Sequence, residues 1–327
     1  MSGDERREVA ARLGFGCSSL GSELDYRASC RLVEVAYESG FRYFDVAPPY
    51  GLGQAERIVG DVLRPVRNTV FIASKTGIAH PRSGGRLKAV KSLLKPLKRL
   101  MPGVWNRAAR AARNAAAPRG QFGVDQIEAS VTESLARLRV NTLDALLLHA
   151  ITPDQVNDAL IAFLIRMKEN GTVASLGLGT DTTSIEQIVA RYPVVFSVLQ
   201  SDHYRWAYSA SPCDEGVIKV THRCIAHGMT LLADPGFAAR LQTRSRHREL
   251  AAALQDPEKR ATLLLLAGVR ANPHGRILVS STRKDRVAGF ALALAQQDLF
   301  ELAEDLHPVF LGSSGPAEWV RNALPEA

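Results

Sequence analysis

Asp45, Tyr50, Lys75 and His149 are residues of this chain whose types and placement could move a proton. Asp45 ends the run Tyr43-Phe44-Asp45, which reads as a buried strand. Tyr50 follows across Val46-Ala47-Pro48-Pro49, a stiffened turn that opens into Gly51-Leu52-Gly53. A free phenol titrates near 10, so tyrosine is a poor proton donor or acceptor at neutral pH. A lysine ammonium beside it favours the phenolate and lowers that value. An aspartate paired with the lysine holds it in place and keeps it charged. A histidine near the phenol can share a hydrogen bond and orient a carbonyl oxygen. Together the four suit protonation of an alkoxide as a hydride reaches its carbon, or the reverse, oxidation of an alcohol.

Taken singly, a His or Lys at a strand end is more often structural or exposed. These four gather after three successive strands, and the surrounding pattern says why. Strand-like and helix-like segments alternate: Arg12–Cys17, Tyr43–Asp45, Val70–Ser74, Ala145–His149, Ser175–Gly179, Val195–Gln200, Thr230–Ala233 and Arg276–Ser280 read as strands. Between them, Asp25–Ser39, Gln54–Leu63, Val124–Leu138, Val156–Asn170, Thr183–Ala190, Gly216–Ala226, Arg260–Arg270 and Arg283–Ala295 carry helical patterns. Asp25–Ser39 stops before Gly40, and Asp125 is the expected N-cap of Val124–Leu138. Short apolar strands separated by amphipathic helices argue for a parallel sheet covered by helices. Eight such units predict an α/β fold, a (β/α)8 TIM barrel. An open doubly wound sheet is the competing layout. Its best fingerprint, Gly14-Phe15-Gly16-Cys17-Ser18-Ser19, lacks the third glycine. In a barrel, parallel strands aim Asp45, Lys75, His149 and Gln200 at one mouth.

The chain has 327 residues and is 46% hydrophobic, which suits a globular core. The reading is a single barrel domain over 1–327, with a C-terminal tail, 300–327, near the mouth. No run approaches the roughly 20 apolar residues a spanning helix needs. The charged start, MSGDERREVAARLG, lacks the apolar core of a secretion signal. Cys17, Cys30, Cys213 and Cys224 show no C-x-x-C spacing, so no metal site is expected, and free thiols fit a reducing cytoplasm.

Net charge is +8, yet eleven Lys/Arg and no acid lie in residues 79–122, which leaves +8 minus 11, or −3, for the rest. The stretch is therefore a basic insert after strand three. Leu87, Val90, Leu94, Leu97 and Met101 keep a 3,4,3,4 spacing beside Lys88, Lys91, Lys95 and Lys98, an amphipathic pattern bent at Pro96. A helical excursion on the barrel rim is the plain expectation. Contact of 86–113 with an anionic ligand or surface is the functional one. Nucleic acid is not expected as a partner, since one tryptophan gives little aromatic interleaving.

The motifs FDVAPPYGLGQAE (44–56), IASKTG (72–77), LDALLLHA (143–150) and LGFGCSSLG (13–21) resemble the aldo-keto reductase family. The resemblance covers most of the chain apart from the insert and the tail. It implies that Asp45, Tyr50, Lys75 and His149 form the family's tetrad, with Tyr50 as general acid/base. APPYGLGQAE is most similar to the branch with sugar and aldose dehydrogenases. The substrate implied is a small carbonyl compound or sugar.

The resemblance also implies a nicotinamide dinucleotide, bound without a Rossmann domain. Gln200 matches the glutamine that holds the carboxamide. His203 or Tyr204 falls where an aromatic stacks on the nicotinamide. Ser281, Thr282 and Arg286 fall in the segment that grips the adenosine phosphate, and Arg283, Lys284 and Arg286 favour NADP(H), with NAD as the alternative. Gly179-Thr180 stands where many members carry Ser-Asn. Phe290 stands where an Asn or Gln often meets adenine, and Asp234-Pro235-Gly236 replaces Ser-Pro-Leu after the expected strand seven. One lost carboxamide partner costs on the order of 1 kcal/mol. Trp206, Phe237 and Trp319 are the expected walls of the substrate pocket. The rival reading is a redox-sensing binding subunit with little turnover that uses the insert to contact a partner.

Overall fold

The computed structural model describes residues 2–80, 119–207, 216–312 and 315–324. The insert's amphipathic stretch and Cys213 lie outside the described residues. Eight strands, all parallel, close into one barrel in chain order. They are β1 (Leu13–Gly16), β2 (Tyr43–Asp45), β3 (Phe71–Thr76), β4 (Ala145–His149), β5 (Leu176–Gly179), β6 (Val198–Asp202), β7 (Ile218–His222) and β8 (Arg276–Val279). The helices are α1 (Gly3–Arg12), α2 (Tyr26–Glu38), α3 (Ala55–Leu63), α4 (Val124–Leu138), α5 (Asp158–Glu169), α6 (Thr182–Arg191) and α7 (His203–Trp206). After β7 come α8 (Cys224–Leu232), α9 (Phe237–Gln242), α10 (His247–Gln255) and α11 (Pro257–Ala271), then α12 (Lys284–Ala293), α13 (Gln297–Leu306) and α14 (Glu318–Ala323). Among the described residues no helix is long and apolar enough to cross a membrane.

Strand alternation decides what the barrel holds. One set of alternate residues, Tyr43, Ala73, Ala145, Leu147, Val198, Val220 and Leu278, packs as the interior cluster. The other set, with Phe15, Phe44, Ile72, Leu146, Leu148 and Leu178, packs outward against the helices in the main core. Strands buried on both faces read as near-continuous apolar runs, which is why Ala145–Leu148 could be seen in the sequence. Two residues beyond the interior layer, the same alternation brings Asp45, Lys75, His149, Gly179, Gln200 and His222 to the C-terminal end of the barrel.

Two expectations about element boundaries and caps are corrected. The seventh strand is Ile218–His222, not Thr230–Ala233. Ile218 and Val220 alternate with Lys219 and Thr221, and that period of two fills the barrel. The helix spans Cys224–Leu232 instead, burying Cys224, Gly228 and Leu231 at spacings of four and three. Asp234-Pro235-Gly236 therefore follows a helix and not a strand. There Asp234 accepts from the Gly236 amide at 2.9 Å and pairs with Arg240 at 2.8 Å, closing a turn. The second correction concerns α4, which is capped by Gly123 and not by Asp125. Gln126 reaches back to accept from the Gly123 amide at 3.1 Å, while Asp125 sits inside the first turn, where its charge suits the helix dipole.

A second apolar cluster joins Tyr204, Leu231, Phe237, Leu250, Leu264, Leu306 and Phe310 from the helices after β7 and the tail. The Arg205 guanidinium donates to the Leu324 carbonyl at 3.1 Å and fastens α7 to the end of α14. Phe237 and Phe310 stack at 6.4 Å between ring centres, with Trp319 beside both. Phe237 and Trp319 are thus packing residues of this cluster. Trp206 is buried as well, under the Lys219 ammonium 4.6 Å from its ring centre. The expectation that these three wall a substrate pocket is corrected accordingly.

Candidate active site

Lys75 organises the mouth of the barrel. It is the last inward residue of β3, two positions past Ala73, and is 2% exposed. Its ammonium donates to Asp45 Oδ1 at 2.5 Å and to the Val46 carbonyl at 3.2 Å. Asp45 ends β2 and is itself 3% exposed. Burial alone would strip Lys75 of its proton, but the attraction of Asp45 and Tyr50 outweighs it and raises the ammonium above its ordinary range. Burial pushes the Asp45 carboxyl up, and Lys75 and a hydrogen bond from Gln200 pull it back. The charge-assisted contact keeps the two as ammonium and carboxylate at neutral pH.

Tyr50 is brought to this pair by the turn after β2. The Tyr50 amide donates to the Ala47 carbonyl at 3.0 Å, and residues Tyr50–Leu52 form a single 3-10 turn. Gly51 holds φ +61°, and a Cβ there would lie 2.0 Å from the Leu20 carbonyl oxygen. Only glycine lets the β2–α3 loop lie this close to the β1–α2 loop. The Lys75 ammonium is 5.0 Å from the centre of the Tyr50 ring. Burial raises the phenol above its usual range, with Lys75 acting against the rise. Tyr50 is therefore a protonated phenol beside a fixed cation, and a cation so placed favours the phenolate form.

His149, the last residue of β4, meets Tyr50 edge-on, with ring centres 6.2 Å apart and planes at 88°. Burial, then the nearby charge of Lys75, push the imidazole down to about 3, so it is neutral. Its Nδ1 is buried without a hydrogen-bond partner. A neutral histidine and a phenol converging on one spot can hold and protonate a carbonyl oxygen.

Other expected residues divide. Gly179 lies in register between His149 and Gln200, and a Cβ there would come no closer than 3.6 Å to Leu147, leaving a shelf at the mouth. Gln200 is buried and its Oε1 has no partner. The Thr180 hydroxyl donates to the Ile151 carbonyl at 2.9 Å, so it offers only its lone pairs. Ser281 accepts from the Arg283 amide at 3.1 Å, and Thr282 is half-buried just before α12. Helix α12 begins without a side-chain cap. Arg283 pairs with Asp285, whereas Arg286 is exposed and has no ion pair among the described residues. Phe290 packs against the main core. Tyr204 is the clear correction. Its ring is fully buried in the second cluster, edge-on to Phe310 at 5.1 Å. His203 is also fully buried, bonded through Nδ1 to Thr221 at 2.9 Å.

His222 was missed in the sequence because its segment read as helix. It continues the inward set Ile218 and Val220 to the mouth, opposite Asp202 on β6. Burial and the adjacent Arg223 push it down to about 4, so it too is neutral. The alternation in Ile218-Lys219-Val220-Thr221-His222 is the signal that could have found it.

A closed parallel barrel with a buried lysine–aspartate pair beneath a tyrosine at its C-terminal mouth defines the class: a (β/α)8 barrel with a charged, polar mouth. The family model "Aldo/keto reductase family" matches residues 12–233, and the chain belongs to that family. Curated relatives include D-threo-aldose 1-dehydrogenase of a Pseudomonas species, 29% identical over 192 residues, which is 55% of this chain and 54% of that protein. Pyridoxal 4-dehydrogenase of Microbacterium luteolum is 36% identical over 80 residues, 23% of each chain. The chain thus spans about half the length, or less, of these curated relatives. Among solved structures, aldo-keto reductase AKR11C1 from Bacillus halodurans, in its holo form, matches with TM-score 0.62 and 18% identity over 92% of this chain and 94% of its own. An aldo-keto reductase from Klebsiella pneumoniae in complex with NADPH matches with TM-score 0.58 and 18% identity over 90% of each chain.

Proposed function

We propose that the protein is an NADP(H)-dependent oxidoreductase that interconverts a carbonyl and an alcohol, with Tyr50 as general acid/base. The observation that carries this reading is the Lys75–Asp45 pair at 2.5 Å beneath the Tyr50 ring. When bound, the nicotinamide cofactor would supply or take up the hydride. Tyr50 gives its proton to the carbonyl oxygen in reduction and takes it back in oxidation. Lys75 lowers the cost of the phenolate, Asp45 keeps Lys75 charged and aimed, and neutral His149 holds the oxygen in line.

The residues fit such a cofactor. Gln200 leaves a buried acceptor, Oε1, open for a carboxamide N–H beside the Gly179 shelf. The uncapped start of α12, with Ser281, Thr282 and Arg286, suits a phosphate, and the exposed Arg286 favours the 2′-phosphate of NADP over NAD. The Klebsiella pneumoniae relative, in complex with NADPH, supports the same choice. Sugars and simple aldehydes or ketones are the substrate classes, in keeping with the aldose dehydrogenase among the relatives. A reducing cytoplasm belongs to this reading and is supported by free Cys17, Cys30 and Cys224.

Two experiments test it together. Fluorescence titration should give tighter binding of NADPH than of NADH. Tyr50→Phe should lose most turnover against an aldehyde and sugar panel while its NADPH affinity stays within about twofold. A Tyr50→Phe variant that turns over at near the wild-type rate would remove Tyr50 from the mechanism. Failure to bind either dinucleotide would remove the oxidoreductase reading itself.

A further inference from the structure

Glu56 is a buried acid to which the proposed mechanism gives no part. It sits in the first turn of α3 and is 1% exposed. Its carboxyl has two partners. The Ser74 hydroxyl, itself fully buried, donates to Oε1 at 2.8 Å. The Arg137 guanidinium of α4 donates to Oε2 at 3.4 Å and pairs with Glu133 at 2.6 Å. A buried carboxyl is costly unless its oxygens are met. An apolar contact would join α3 to β3 without that cost, but it would not fix direction as a hydrogen bond does.

Direction matters because of what stands at each end. Ser74 immediately precedes Lys75, and the alternation of β3 turns the two to opposite faces. The hydroxyl points outward to α3, and the ammonium points inward to Asp45. At the other end, Tyr50 leads into α3 through one hydrogen-bonded run. The Gly53 amide donates to the Tyr50 carbonyl at 2.9 Å, the Gln54 amide to the Gly51 carbonyl at 3.3 Å, and the Ile58 amide to the Gln54 carbonyl at 3.0 Å. Gln54, the N-cap of α3, makes no side-chain cap bond. The start of α3 therefore takes its polar hold on β3 from Glu56. A slide of α3 along β3 would carry Tyr50 with it and leave Lys75 in place.

Resting on the proposed oxidoreductase function, we propose that Glu56 is a positioning residue that, through Ser74, fixes the Tyr50 phenol over the Lys75 ammonium from behind the strand. The separation it holds is the 5.0 Å between the Lys75 nitrogen and the Tyr50 ring centre. Arg137, on the other carboxyl oxygen, joins α3 to α4 and lies outside this linkage.

The test measures kcat and KM with the panel aldehyde that wild-type protein reduces fastest, at saturating NADPH. Each kcat is expressed per NADPH-binding site, counted by fluorescence titration, so that unfolded protein does not enter it. Ser74→Ala and Glu56→Leu both break the 2.8 Å bond. Each should lower kcat about tenfold, the scale of a displacement of part of an ångström. KM and NADPH affinity should stay within about twofold, since binding is not what the bond controls. Glu56→Gln keeps an acceptor for Ser74 and should hold kcat within about twofold of wild type. Arg137→Ala should lower stability in urea and leave kcat unchanged. Wild-type kcat in Ser74→Ala and Glu56→Leu would overturn the assignment. So would a fall in Glu56→Gln as deep as in Glu56→Leu, or an equal fall in Arg137→Ala, because either would make Glu56 a general support of the fold. Absence of wild-type turnover with the whole panel would instead overturn the oxidoreductase reading on which the assignment rests.

Discussion

At the scale of single residues, the site turns on one buried ion pair. Lys75 and Asp45 are each less than a twentieth exposed, and neither charge would be stable there alone. Removing one partner leaves the other uncompensated, at a cost of about 3–5 kcal/mol. Lys75→Met should therefore lower unfolding stability by that amount in urea. The double variant Asp45→Asn/Lys75→Met, which leaves no charge behind, should recover most of it. Turnover separates structure from chemistry: both variants should stay at least about 100-fold below wild type, the scale of losing one preorganised electrostatic group. A double variant as unstable as the single one would mean that Lys75 stabilises the fold through something other than the pair. Recovered turnover in the double variant would mean that the ammonium is dispensable to Tyr50.

At the scale of elements, the loop after β2 does more than connect. Its Gly51 is closed in by the Leu20 carbonyl, and the neighbouring residue is Tyr50. Gly51→Ala must push the two loops apart and carry Tyr50 away from Lys75. A misplacement of about 1 Å can cost 100-fold in rate, so its kcat should fall at least tenfold. Gly171→Ala is the control. It has φ +77° and nothing within 4 Å of an added Cβ, so it meets backbone strain alone, about 1 kcal/mol. It should lose stability and keep its kcat. Equal kcat values for the two variants would sink the positioning role of the loop.

The same scale explains what was legible in the sequence. Strands buried on both faces, such as Ala145–His149, stand out as apolar runs ending in a polar residue. Helices with a clear stripe, such as Val124–Leu138, stand out by period. The segment 216–233 did not, because Cys224–Leu232 is too apolar to show a stripe and Ile218–His222 carries Lys219 and Thr221 on alternate positions. The swap hid His222 and moved Asp234 into the wrong context. Tyr204 failed differently. A phenol two residues after a barrel strand looks like a mouth residue, and only the packing of α8, α11 and the tail shows that its ring is enclosed.

At the scale of the whole molecule, three imidazoles are held neutral in or against the barrel: His149 and His203 down to about 3, and His222 down to about 4, each chiefly by burial. A histidine in the unfolded chain titrates near 6.5. Below that pH the unfolded state takes up protons that the folded state refuses. These groups therefore contribute stability that is present above about 6.5 and is lost as the pH falls through 4 and 3. Within that window each costs about 1.4 kcal/mol per pH unit. Asp181 and Asp202, whose carboxyls are held below their ordinary range, lose their contributions only at the acid end, so the imidazoles act first. The stability of a typical domain, about 5–15 kcal/mol, is consumed within a few pH units at such a slope. Urea unfolding at pH 7.5, 6 and 5 should show stability falling steeply below pH 6. His203→Gln, which removes an imidazole packed against Thr221, should flatten the fall by about 1.4 kcal/mol per pH unit between pH 6 and 5, whatever it does to stability at pH 7.5. The slope is the readout because a packing defect lowers stability equally at each pH, whereas a lost titrating group changes only its pH dependence. A slope unchanged in His203→Gln would show that His203 does not drive the acid response.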